Sequence, residues 1–156
     1  MPYTDGFTLS GCASLDLGDV LVITQKSAPA VQKSFEDITP EQEYYTGRAA
    51  AATILSQYQP FTDTEPTEYL NLLGRTLAYA SDRPETFAGY HFLILDSQEI
   101  NAFAAPGGLI FISRGLLACA DSEDTVAAIL AHEIAHVVEQ DGLQAIKKSR
   151  VTSALT

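Results

Sequence analysis

Two of the three histidines of this 156-residue chain, His132 and His136, stand four residues apart in the stretch AAILAHEIAHVVEQDG, with Glu133 between them. On a helix, residues four apart share a face with Cβ atoms about 5 to 6 Å apart, so both imidazoles can reach a single ion. Glu133 is rotated by roughly 100° from His132, beside the ligand face rather than on it. A carboxylate so placed can act on a water held by the metal without binding the metal itself. Zinc brings the pKa of such a water to about 7, and Glu133 is then the base that takes its remaining proton while the oxygen attacks a carbonyl. The competing reading is a pair of hydrogen-bonded histidines in a helix core. Burying two imidazoles and a carboxylate together is costly without partners, and a metal supplies them. A catalytic zinc takes three protein ligands and a water, so a third group is required. Glu139, His91 and Cys119 are the candidates within the chain. Glu139 lies on a neighbouring face of the same helix, His91 begins a strand and Cys119 ends a short helix.

The helix that carries the pair opens near Asp121 and Ser122 as alternative caps, with Glu123 and Asp124 at its positive end, and Gly142 marks its stop. Upstream, Thr39, Pro40 and Gln42 form a helix start that runs to about Tyr58, and Pro60 follows. TDTEPTEYL starts a second helix, in which Tyr69, Leu70, Leu73, Leu77 and Ala80 repeat at three and four. GYHFLILDS, EINAFAA and LIFIS read as strands, the last two joined by a turn at Pro106, Gly107 and Gly108, and residues 113 to 120 as a short helix. Residues 1–38 read as an extended N-terminal arm with one strand-like run, DVLVITQ, and residues 39–156 as one folded unit.

A hydrophobic share of 46% is enough for one domain with a core. Nine Lys plus Arg against twenty Asp plus Glu give a formal charge of −11, which repels nucleic-acid phosphates. No window approaches the roughly 18 apolar residues of a membrane-spanning helix. Cys12 and Cys119, the two cysteines, are too few for a disulfide framework.

From about Ile38 to Gly142, through PEQEYYTGRAAAATIL, ILDSQEINAFAAPGGLIFISRGLL and VAAILAHEIAHVV, the chain resembles bacterial zinc metallopeptidases of the family that includes the heat-shock protease HtpX and the CAAX prenyl endopeptidases. The resemblance is nearest to their envelope-located lipoprotein branch. It implies an α+β fold: a mostly helical, zincin-like peptidase domain whose small, antiparallel-rich sheet lies beside an HExxH active-site helix, residues 39–156 being its N-terminal portion. It makes His132 and His136 ligands of Zn2+, Glu133 the catalytic base, and Asn101, Ala102, Phe103 and Ala104 the sheet edge that pairs with an extended polypeptide substrate, a mode that demands little of substrate sequence. Members of that family take a Glu from a helix well downstream as third ligand, which is expected beyond Thr156 unless the site is completed in another way. Where members of that family often carry Arg-His-Gly, this chain has Gln140, Asp141 and Gly142.

LSGC at residues 9–12 looks like a lipobox, although MPYTDGFT has neither a cationic nor an apolar signal region. A lipid anchor at Cys12 and a periplasmic location follow from that likeness. Two other readings stay open. One is a catalytically incomplete, chaperone-like module that uses the same edge strand. The other is a deformylase-like enzyme with a cysteine ligand, which lacks its EGCLS-type motif here.

Overall fold

The computed structural model describes residues 38–154. The expected N-terminal strand and the LSGC stretch with Cys12 lie outside the described residues.

Helix α1 spans Pro40–Gln57. Its start is the reciprocal cap expected from the sequence: the Thr39 hydroxyl accepts from the Gln42 amide at 3.2 Å, and the Gln42 side chain accepts from the Thr39 amide at 3.0 Å. Helix α2, Thr64–Tyr79, starts on the Asp63 carboxylate. Three strands follow, β1 His91–Leu95, β2 Ala102–Ala105 and β3 Leu109–Ser113. Helices α3 Arg114–Ala118, α4 Glu123–Val138 and α5 Asp141–Ala154 complete the described chain.

The sheet order is β1-β3-β2, with β1 parallel and β2 antiparallel to β3. The hairpin expected at residues 106–108 is present, and Gly107 and Gly108 take φ of 78° and 90° there, a left-handed backbone that side chains resist. The sheet is thus small, as expected, but mixed, because the chain makes the β2 excursion before β3 returns alongside β1.

The apolar strands are covered on both faces, which is why they read as unbroken hydrophobic runs. Phe92, Ile94, Ile110 and Ile112 meet Leu70 and Ala78 of α2 and Leu130, Ile134 and Val137 of α4. Leu95, Ala105 and Phe111 meet Ala51 of α1 on the other face. The Pro106 turn closes directly on α1, and a Cβ at Gly47 would come within 1.8 Å of the Pro106 carbonyl oxygen. Only glycine permits that approach.

The two sheet edges differ. Residues 59–61 cover β1, with Phe61 N–H donating to Ile94 O at 2.8 Å and Asp96 N–H to Gln59 O at 2.8 Å. Among the described residues no main-chain partner lies along the outer edge of β2, which runs beside α4.

One helix boundary differs from the sequence expectation. Helix α4 ends at Val138, with Glu139 as its C-cap, and the left-handed residue that stops it is Gln140 at φ 57°, not Gly142. Gly142 lies in the first turn of α5, where a Cβ would meet the Pro106 ring at 3.1 Å. The glycine serves packing rather than termination.

Candidate active site

The Ser122 hydroxyl accepts from the Thr125 amide at 3.2 Å at the start of α4, and Glu123 and Asp124 lie in its first turn. Leu130, Ile134 and Val137 are buried against the sheet and α2, which turns His132 and His136 outward and leaves Glu133 between the two faces. Glu133 is only 8% exposed. Burial pushes its carboxyl above the ordinary range, with positive charge on His136 and His132 pulling the other way. A carboxyl so raised is better matched to proton transfer near neutrality than an exposed one.

The two Nε2 atoms face each other at 3.2 Å, with the rings at 83° to one another. Two nitrogens bound to one tetrahedral zinc at 2.0 to 2.1 Å are separated by about 3.3 Å, so the pair fits that ion. His136 Nδ1 lies 2.6 Å from Asp141 Oδ2 at the start of α5.

The edge strand presents a specific set of main-chain groups. Ser113 N–H donates to Asn101 O at 3.0 Å, which makes Asn101 and Ser113 a hydrogen-bonded pair of the antiparallel ladder. Bonded and non-bonded pairs alternate, so Phe103 is turned to β3 while Ala102 and Ala104, opposite Ile112 and Ile110, direct N–H and C=O outward. The Ala102 N–H donates to the Asn101 side chain at 2.9 Å. The Ala102 carbonyl and both groups of Ala104 remain for an added strand. The Phe103 ring packs on Tyr58 under the opposite face, with centroids 5.5 Å apart, whereas the small Ala102 and Ala104 side chains let α4 approach.

The three candidates for a third ligand do not reach the pair. His91 sits on the far strand with Nε2 on the Ala88 carbonyl at 2.8 Å, Cys119 Sγ donates to Gly115 O at 3.3 Å, and Glu139 forms no three-membered metal-binding group with the pair. Among the described residues no group of three metal-binding side chains gathers.

Sequence reading missed a network behind the site. Arg83, between α2 and β1, grips the buried Glu43 of α1 through two bonds of 3.0 and 2.6 Å, and the same guanidinium donates to Val137 O of α4 at 3.3 Å. Glu43 also accepts from the Gly107 amide at 3.0 Å. One ion pair therefore ties α1, the hairpin turn and the end of the histidine helix together. A polar residue on an amphipathic helix gives no local sign of such burial.

Residues 64–156, which hold the HExxH helix, both histidines and the edge strand, match Peptidase family M48. The chain belongs to that family. Among its relatives, the beta-barrel assembly-enhancing protease of Escherichia coli is 33% identical over 90 residues, 58% of this chain and 18% of that protein. The putative beta-barrel assembly-enhancing protease of Vibrio cholerae is 35% identical over 104 residues, 66% of this chain and 21% of that protein. Mitochondrial metalloendopeptidase OMA1 of Schizosaccharomyces pombe is 27% identical over 127 residues, 80% of this chain and 37% of that protein. The chain therefore spans well under half the length of these curated relatives. The M48 assignment accounts for the mostly helical α+β fold with a small sheet beside the HExxH helix.

Proposed function

We propose that this M48 chain carries the HExxH part of a zinc-dependent endopeptidase that cleaves extended polypeptides in the bacterial envelope. The observation that carries the reading is the 3.2 Å Nε2 to Nε2 separation on a helix that also holds the buried Glu133. His132 and His136 would hold the ion, and zinc bound there supplies the Lewis acidity that makes water a competent nucleophile at neutral pH. Glu133 takes a proton from the attacking water and returns it to the leaving amine. Strand β2 lays the substrate alongside α4 through the Ala102 carbonyl and the Ala104 amide and carbonyl, leaving side-chain identity largely unread.

The bacterial relatives are named for enhancing beta-barrel assembly, which supports an envelope location; misfolded or unassembled proteins are the substrate class proposed here. LSGC supports lipid anchoring at Cys12. Among the described residues no helix is long and apolar enough to cross a membrane.

Substitution of Ala104 by Pro tests the edge. Its N–H points away from β3, so proline removes an outward donor without breaking the ladder. The loss of one such bond, about 1.4 kcal/mol, predicts roughly a tenfold fall in kcat/KM on a protein substrate with zinc affinity unchanged. An unaltered kcat/KM in a folded variant would place the substrate in another groove. A longer protein that carries the third ligand and bound zinc and peptide but left peptide intact would be a binding module rather than a protease.

A further inference from the structure

The geometry points to Asp141 as a positioning residue that fixes the His136 tautomer, leaving its Nε2 bare toward the metal. This inference rests on the zinc reading above. Asp141 is placed by three features: the left-handed Gln140, at φ 57°, reverses the chain after α4; Gly142 seats on the Pro106 ring; and Leu143, 3% exposed, anchors the first turn of α5. These bring Asp141 Oδ2 to 2.6 Å from His136 Nδ1.

A carboxylate only accepts hydrogen bonds, so the His136 ring must donate from Nδ1. Nε2 then carries the lone pair, and it is this atom that faces His132 Nε2 at 3.2 Å. In metal-free protein the short Nε2 contact further requires that His132 be the donor. A free imidazole side chain favours the Nε2–H form, so without Asp141 the ligand atom of His136 would be protonated in much of the population. Partners of this kind orient histidine ligands and raise their basicity, and their loss costs about 10- to 100-fold in metal affinity.

The bland alternative is that Asp141 only complements the N-terminal dipole of α5. Such a role would change thermal stability but not ring tautomer. The test is long-range 1H–15N correlation of the metal-free 156-residue chain, at a pH where both rings are neutral, with zinc titration of wild type, Asp141→Ala and Asp141→Asn. The expected wild-type result is Nδ1–H on His136 and Nε2–H on His132. In Asp141→Ala, His136 shifts toward Nε2–H and zinc binding weakens about 10- to 100-fold. Asp141→Asn keeps a polar group at the start of α5 and can also donate to Nδ1, so it gives mixed tautomers at near-wild-type helix content. It carries the test if the alanine variant unfolds. An Nε2–H His136 in wild type, or unchanged tautomer and zinc affinity in folded variants, overturns the inference. Nδ1–H His136 in a longer chain that carries the third ligand yet took up no zinc would instead sink the zinc reading, while the tautomer assignment stood.

Discussion

Glu133→Gln is expected to abolish peptide hydrolysis while fold and zinc binding persist. The amide matches the carboxylate in size and sits in the same buried position, 8% exposed, but lacks a basic lone pair to receive the proton of the attacking water. A positioned general base contributes roughly 10²- to 10⁴-fold, so kcat should fall by that factor with little change in KM. The displacement of Glu133 around the helix from His132 and His136 predicts that zinc stoichiometry does not change. Assay of a protein substrate, with metal content measured on the same preparation, checks both parts. A variant that cleaved at near-normal rate would remove Glu133 from the chemistry, and one that lost zinc would make it a ligand.

The second large effect concerns stability. In Arg83→Met the carboxylate of Glu43, 3% exposed, keeps the Gly107 amide but loses both guanidinium bonds. Stranding one partner of a buried ion pair costs about 3 to 5 kcal/mol, which corresponds to a fall in melting temperature on the order of 10 to 20 °C for a domain of this size. The double variant Glu43→Leu, Arg83→Met removes the uncompensated charge and should recover part of the loss. Thermal melts of the single and double variants check this. A single variant that melted with wild type would show that Glu43 reaches water in the folded protein. Arg83 also holds the Val137 carbonyl, so its loss should loosen the end of α4 at His136.

What could be read from the sequence was local. The Thr39 cap, the apolar strands and the i, i+4 histidines each depend on residues within about one helical turn or one strand, and the M48 family resemblance added the α+β architecture around them. The parallel pairing of β1 with β3 was not legible, since it spans the whole β2 excursion and leaves no mark on either strand. The end of α4 was misplaced for a related reason. Glycine is the common left-handed stop, yet here Gln140 accepts that backbone, and Gly142 is glycine because the Pro106 ring crowds it. Glu43 looked like part of a solvated helix face because its partners, Arg83 and Gly107, are 40 and 64 residues away. Asp141 escaped notice because its reach to His136 depends on the turn at Gln140.

The central claim is that His132 and His136 bind one zinc ion, and the most direct measurement is zinc titration with elemental analysis on wild type, His132→Ala, His136→Ala and Glu133→Gln. Wild type and Glu133→Gln should take up one equivalent at the same affinity, and each histidine variant should lose it. Full retention of zinc at wild-type affinity by folded His136→Ala would contradict the account.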